Sequence, residues 1–405
     1  MSSWRTLVAS TVVTGLMLVG CASSDLSSPN AVTTTPTSAS TEPLTVPATT
    51  QAPSSTASPK PAASLTLASP MGLTAALPVD PITVTVDGGD IDGVQVSRAG
   101  IEVAGEFKAS TWTPKHDLDF DSDYVVAVTT TQGELLTERF HTAQKEATAG
   151  FRVLYLYENM GIGMPAYVKF NSPVPKNMRA DIQRRAIVTT VPAQEGAWGW
   201  MSDTELFWRP KTFWKPATKV ALDLKWAGVP AGKGKRLPRS VLGTFSINKV
   251  ARTMKVDSAA HQMSVFENGA LVRTIPVTTG KEGFTTRSGT KIVLEKKDST
   301  RMASETIGIN GGNDYYDLQV KWAMRVTWTG EFVHAAPWSA KSQGKANVSH
   351  GCVGMSTENA AWLFARAQLG DPIEFVGTSR AMQPSEGMGV WLYPWAEWQK
   401  LSALT

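Results

Sequence analysis

The sequence predicts a mainly β protein: two β-sandwiches in tandem, then a third β-rich unit with one short helix. Three observations predict it. Apolar residues alternate at a two-residue step through much of the chain after residue 65, with turn signals between the runs. Helical spacing with start and stop signals stands out over one stretch, Thr357 to Leu369. The 405 residues are 42% hydrophobic and include 14 Trp, enough to build sizeable cores and too apolar for a wholly disordered chain.

Residues 1–20 read as an export leader. Arg5 supplies the positive start, and Leu7 to Val19 is mostly apolar yet too short for an ordinary membrane-spanning helix. The run ends Leu18-Val19-Gly20-Cys21. This resembles a bacterial lipobox, which implies cleavage before Cys21 and lipidation of its thiol; an ordinary leader with an incidental cysteine is the alternative. Residues 21–65 are dominated by Ser, Thr, Pro and Ala, cannot bury enough apolar surface to offset ordering, and read as an extended tether. No later apolar run is long enough to span a bilayer, so the remainder is expected to be soluble.

Residues 66–148 form the first expected sandwich. Ile82, Val84 and Val86 alternate with polar partners, Tyr124, Val126 and Val128 repeat the step, and Asp87-Gly88-Gly89-Asp90 and Gln132-Gly133 mark turns. Residues 149–248 repeat the style, with Val153, Tyr155 and Tyr157, then Val220, Leu222, Leu224 and Trp226. Lys233-Gly234-Lys235-Arg236 reads as a solvated hairpin loop rather than a binding patch. Neither module shows visible chemistry, so spacer or positioning roles are expected. Residues 249–376 form the third unit. Met263 to Phe266, Asn268-Gly269 and Leu271 to Val277 predict a hairpin with a type I′ turn. Residues 280–333 read as long, irregular and glycine-rich, the mark of a lid or binding loop. The extension 377–405 carries Trp391, Trp395 and Trp398, which either pack back onto the third unit or present a surface to the cell wall.

Net charge is +4, and the basic residues form no block or stripe of the kind a nucleic-acid binder shows, so nucleic acid is not an expected partner. Two cysteines, Cys21 and Cys352, are too few for a disulfide framework, and no Cys/His cluster has metal-ligand spacing; neither metal nor cofactor is expected. With Cys21 lipidated, Cys352 is the remaining thiol, and a free thiol in an exported chain is exposed to oxidation. It stands in Ser349-His350-Gly351-Cys352-Val353-Gly354-Met355, downstream of Gly330-Glu331-Phe332-Val333-His334-Ala335-Ala336-Pro337-Trp338. On residues alone, a buried structural cysteine and a nucleophile are both open.

The interval of 14 residues between His334 and Ser349, and the run Ser349-His350-Gly351-Cys352-Val353, resemble the signature of the L,D-transpeptidases, the YkuD-type catalytic domain. The order of lipobox, tether, two modules, catalytic unit and Trp-rich extension is similar to the mycobacterial-type enzymes, which implies that both sandwiches are immunoglobulin-like. The resemblance implies a cysteine acyltransferase. Cys352 attacks a tetrapeptide stem at the amide before its terminal D-Ala, a thioester forms, and an amine of a second stem attacks to give a 3→3 crosslink. Carbapenem-type β-lactams are expected to acylate the same thiol. His334 is the implied general base, oriented by the backbone carbonyl of Ala335, and backbone N–H groups around His350, Gly351 and Cys352 form the implied oxyanion hole. The His350 ring either braces the loop or moves protons, and Ser349 is expected to make a local hydrogen bond. Trp338 matches an aromatic position at the pocket mouth. Tyr316 and Met302 fall in the lid region, and Ser349 and Asn347 complete the expected substrate-binding set. One departure stands out: the family usually has Asn two residues after the Cys, and here the residue is Gly354. It raises hydrolysis (an L,D-carboxypeptidase) or attachment of the acyl group to a protein amine as alternatives; a non-catalytic wall-binding lipoprotein is the third. The expected state is a monomer, lipid-anchored outside the cytoplasm and reaching peptidoglycan stem peptides in the wall.

Overall fold

The computed structural model describes residues 62–405. The leader 1–20, the lipidation site Cys21 and nearly all of the 21–65 tether lie outside the described residues. The described residues fall in one compact unit.

The first sandwich begins slightly earlier than the sequence suggests. Its first strand, Ser64–Ala68, pairs with Ile82–Asp87 from Ser64 opposite Asp87 onward. Thr111–Pro114 and Gly105–Lys108 complete that sheet, and Ile101–Glu102, Ile91–Arg98, Asp123–Thr130 and Leu135–His141 form the facing one. The inward positions are the alternating ones: Ile82, Val84, Tyr124, Val126 and Val128 are all buried. Gly133, at φ 83°, takes the left-handed turn between the last two strands, which a side chain would resist. The Asp87–Asp90 turn carries the chain from one sheet to the other instead of closing a hairpin.

The second module pairs Gly196–Trp200, Glu205–Pro210, Ala166–Phe170 and Phe151–Leu154 in one sheet, and Ala186–Val191, Lys219–Leu224 and Val241–Ser246 in the other. Val220, Leu222, Leu224 and Trp226 point inward as expected. The Val153–Tyr157 alternation is cut short: the strand ends at Leu154, and Tyr155 turns at φ 59°. The sandwich also carries a helix, Lys176–Arg184, that the alternation did not suggest; one buried apolar residue, Ile182, anchors it. Lys235 and Arg236 belong to a short hairpin, where Arg236 pairs with Glu146.

The third unit holds two sheets. One runs Ala270–Pro276, Gln262–Glu267, Arg252–Asp257, Pro372–Val376 and Gly289–Ile292; the other runs Glu295–Ala303, Asp317–Arg325, Phe332–Ala335 and Val353–Met355. Asn268 and Gly269 have φ 51° and 82°, the two positive values a type I′ turn needs. The helix is Thr357–Arg366, capped by Ser356 accepting from the Asn359 amide; it stops short of Leu369 because Ala367 is extended. The expected irregular stretch 280–333 is instead largely ordered. Its centre is a long antiparallel hairpin, Glu295–Ala303 with Asp317–Arg325, whose connecting loop leans over the cysteine segment.

The extension packs back onto the third unit only in part. Its first part stays on the third unit: Trp328 donates its amide to the Glu386 carbonyl, and Arg287 pairs with the Glu386 carboxylate at 2.7 Å. Its later part packs onto the second sandwich. Trp391 Nε1 donates to the Gly163 carbonyl and Trp398 Nε1 to the Ala197 carbonyl, at 2.7 and 3.0 Å. Trp391, Trp395 and Trp398 lie 4.7, 5.3 and 5.1 Å from the guanidinium of buried Arg209. Trp398 is buried, and Trp391 and Trp395 are half-buried.

Candidate active site

His334 and Cys352 reach one cavity because their strands are neighbours. Phe332–Ala335 and Val353–Met355 run parallel, with Val333 opposite Val353 and His334 opposite Gly354. Cys352 is the residue just before the second strand. A cavity of about 270 Å³ lies over this edge. Cys352, His334, His350 and Ser349 line it, and so do Trp338, Tyr316 and Met302.

The His334 ring is buried, and its Nδ1 lies 2.8 Å from the Ala335 carbonyl oxygen. A carbonyl can only accept, so Nδ1 carries the proton. Burial pushes the imidazole below its usual range, against the pull of that carbonyl. The neutral ring then has a free lone pair on Nε2, the state a base needs.

The thiol is not activated at rest. Sγ donates to the Gly330 carbonyl at 3.7 Å, and among the described residues no hydrogen bond joins it to the His334 ring. Burial pushes the thiol up to about 11, with the Glu331 carboxylate adding to the effect; the Phe332 amide, Lys291 and Arg325 pull the other way. Beneath the loop lies a charged group that sequence reasoning missed. Glu331 accepts from Lys291 Nζ at 2.6 Å and from the Arg287 amide and guanidinium at 2.9 and 3.1 Å. Lys291 is fully buried, with Nζ 3.7 Å from the centre of the Phe375 ring. The one available signal was a single acid inside an otherwise apolar run ahead of His334.

The cysteine loop is braced from within. Ser349 Oγ donates to the Cys352 carbonyl at 2.6 Å and accepts the Gly351 amide at 3.1 Å. This corrects the expected oxyanion hole: the Gly351 N–H already has a partner, so it is not free to bind an oxyanion. Among the described residues the His350 and Cys352 amides make no hydrogen bond. Gly351 has φ 117°, a value only glycine adopts easily, and Thr286 Oγ1 donates to its carbonyl at 2.8 Å.

The His350 ring is held rather than free. Nε2 lies 3.1 Å from Asp314 Oδ1, Lys281 pairs with the same carboxylate, and the Phe284 and Tyr316 rings lie 4.6 and 5.0 Å away. Asp314 sits in the loop of the long hairpin, so these contacts tie lid to cysteine loop. Trp338 is half-exposed at the mouth, 5.9 Å from the His334 ring. Asn347 corrects another expectation, since it does not line the cavity. Its side-chain oxygen takes the Thr279 amide and hydroxyl at 3.1 and 2.8 Å, and its nitrogen donates to the Ser258 carbonyl at 2.9 Å. It fastens the loop to the neighbouring hairpin.

Position 354 has no room for a side chain. A Cβ there would lie 2.8 Å from Ala336 Cβ and 3.0 Å from Thr278 Oγ1. Thr278, also missed from the sequence, is another wall of the cavity. Among the described residues no group of three or more His, Cys, Asp or Glu could hold a metal ion, and no helix is long and apolar enough to cross a membrane.

Comparison with known proteins adds the following. Residues 251–375 match the family model of the L,D-transpeptidase catalytic domain, and residues 74–230 match a bacterial Ig domain. The chain is 32% identical to L,D-transpeptidase 2 of Mycobacterium tuberculosis over 330 residues, 79% of this chain and 80% of that protein. It is 30% identical to L,D-transpeptidase 5 of the same species over 363 residues, 85% of this chain and 78% of that protein. A solved structure of an L,D-transpeptidase from Mycobacterium smegmatis is 32% identical, with a TM-score of 0.46 over 57% of this chain and 99% of its own.

Proposed function

The chain belongs to the L,D-transpeptidase family, and on that premise we propose that it forms 3→3 crosslinks in peptidoglycan through a Cys352 thioester. The observation that carries the reading is the shared cavity of a free thiol and a neutral imidazole whose proton is fixed on Nδ1.

The donor is a tetrapeptide stem. Its binding displaces solvent and turns Sγ away from the Gly330 carbonyl toward Nε2 of His334. Apo hydrogen bonds in active sites commonly tighten only in the complex. The ring takes the thiol proton as sulfur attacks the carbonyl before the terminal D-Ala. A resting thiol near 11 keeps thiolate scarce until substrate is present, which protects the exported sulfur from oxidation. The amides of His350 and Cys352 hold the developing oxyanion. The His334 ring returns its proton to the leaving amine, D-Ala departs and the thioester remains. The ring then accepts a proton from the amine of a second stem as that amine attacks, and the thiol is restored. The bond energy of the first amide is kept in the thioester, so no nucleotide is consumed. The lid loop, tied through Asp314 to His350, limits water in the cavity and favours the amine.

The remaining parts follow the same reading. Export and lipidation at Cys21 hold the chain outside the cytoplasm, the tether and sandwiches carry the catalytic unit toward the wall as a monomer, and carbapenem-type β-lactams acylate Cys352.

The test is intact mass after mixing with a carbapenem, followed by incubation with disaccharide-tetrapeptide. The wild-type chain gains one adduct, releases D-Ala and yields crosslinked dimers. Cys352→Ala gains none and releases none. Release of D-Ala by Cys352→Ala at the wild-type rate overturns the assignment, and tripeptides without dimers replace crosslinking by hydrolysis.

A further inference from the structure

Thr278, Gly354 and His334 form a row across three adjoining strand segments. Thr278 and Gly354 exchange backbone hydrogen bonds in both directions, at 2.9 and 3.0 Å, and Gly354 is opposite His334 in the parallel ladder. Residues paired this way present their side chains on one face. Thr278 and His334 therefore both face the cavity, and both line it. With glycine between them, no side chain separates the hydroxyl from the ring.

The Thr278 hydroxyl is open. The residue is 1% exposed and lines the cavity, and among the described residues none of the hydrogen bonds involves its Oγ1. The serines of the same wall are engaged: Ser339 Oγ donates to the Ala336 carbonyl at 3.0 Å, and Ser349 Oγ to the Cys352 carbonyl. A polar group this deep is normally paired, so one left open toward a cavity points to a ligand atom.

We infer that Thr278 positions the acceptor amine, its hydroxyl oxygen accepting one N–H while His334 Nε2 faces another. This rests on the transpeptidase reading above. Two features select an amine over a carboxylate. Among the described residues no Asp, Glu, Lys or Arg lines the cavity, so a carboxylate finds no fixed counter-charge there, whereas hydroxyl lone pairs suit the N–H of a neutral amine. The spacing also fits. Two strand intervals separate the Thr278 and His334 backbones by about 10 Å. Both side chains line the one cavity, so a nitrogen bound between them can meet the hydroxyl on one side and the ring on the other. In the transfer step the amine nitrogen bonds to the thioester carbon, the carbon–sulfur bond breaks, and sulfur leaves with the electron pair. The nitrogen's proton passes to His334 and from there to sulfur. Thr278 keeps its own proton throughout. By microscopic reversibility the same hydroxyl meets the N–H of the departing D-Ala. A β-lactam nitrogen bears no hydrogen, so carbapenem acylation does not use it.

The experiment compares the whole described chain with its Thr278→Val and Thr278→Ser variants in two reactions: dimer formation from disaccharide-tetrapeptide, and acylation by a carbapenem followed by mass. Thr278→Val keeps the shape and the backbone pairing with Gly354. It is expected to lose about tenfold in dimer formation with carbapenem acylation unchanged, and Thr278→Ser to recover most of the loss. Dimer formation by Thr278→Val at the wild-type rate overturns the inference. So does a parallel fall in carbapenem acylation, which marks a general disturbance of the wall, and so does a serine variant as impaired as the valine one. A wild-type chain that forms no dimer overturns the transpeptidase reading and this inference with it; a wild-type chain that does, matched by Thr278→Val, overturns this inference alone.

Discussion

Arg209 in the second sandwich is buried and Cys352 in the third unit half-buried, and the two are housed in opposite ways. Arg209 is a cation without a carboxylate. Three tryptophan rings cover it, its Nη2 donates to the Tyr393 carbonyl at 2.9 Å, and its Nη1 reaches the Pro210 and Lys211 carbonyls at 3.2 Å. Burial pushes the guanidinium down to about 10, still charged at neutral pH. Ring faces and carbonyl dipoles replace water on nearly every side. Around Cys352 the groups are neutral: a thiol that burial keeps protonated, an imidazole with a free nitrogen and the Thr278 hydroxyl on the cavity wall. The Arg209 cage is closed by rings and carbonyls although its Nε is left without a partner, whereas the groups around Cys352 face a cavity that a substrate can enter.

The contrast can be broken first at the base. His334→Gln keeps a polar side chain but cannot cycle a proton, and D-Ala release should fall by about 10²–10⁴. An unchanged rate would mean the ring is as structural as Arg209. The thiol gives the matching pH test. Iodoacetamide labelling of Cys352 in the free chain should climb about tenfold per pH unit from neutrality until near 11, because only thiolate reacts. A plateau near pH 7 would instead reveal a thiol already activated at rest.

The cage can be broken at Trp398, which is fully buried. Trp398→Ala should cost about 3–5 kcal/mol in denaturant unfolding. Carbapenem labelling per folded molecule should not change, since none of the cage lines the cavity. Loss of labelling without loss of stability would show that the two regions are coupled. The smallest expected effect comes from restoring the family's usual residue. Gly354→Asn must push back Ala336 and Thr278 Oγ1, and should cost about 1–3 kcal/mol by overpacking. It should bring no gain in D-Ala release. A gain, measured beside the melting temperature, would make Gly354 a simple loss rather than an adjusted position.

What the sequence disclosed and what it withheld follow from the range of the interactions. The 268–269 turn was legible because two consecutive positive φ values call for Asn-Gly, a local requirement. The His334 and Cys352 segments were legible because adjacent strands carry their chemistry. The long hairpin was hidden because Glu295-Lys296-Lys297-Asp298-Ser299-Thr300-Arg301 has no apolar alternation; its ladder with Asp317–Arg325 supplies the order. Asn347 could not be sorted from the cavity-lining residues, since its partners Thr279 and Ser258 lie far back in the chain. The Gly351 amide was misassigned for a subtler reason. A serine two residues earlier captures it, and such side-chain capture depends on the loop's final shape.

Residues 401–403 finish a module whose first strand starts at Phe151. The Trp200 amide donates to the Leu401 carbonyl at 2.9 Å, Gln183 Nε2 donates to Ser402 Oγ at 2.6 Å, and the Ala403 amide donates to Gln183 Oε1 at 2.8 Å. The second sandwich is therefore incomplete until residues 401–403 are in place against it. A protease that nicks the tail, or a tag fused too tightly to it, would loosen the support under the enzyme before it disturbed the enzyme itself.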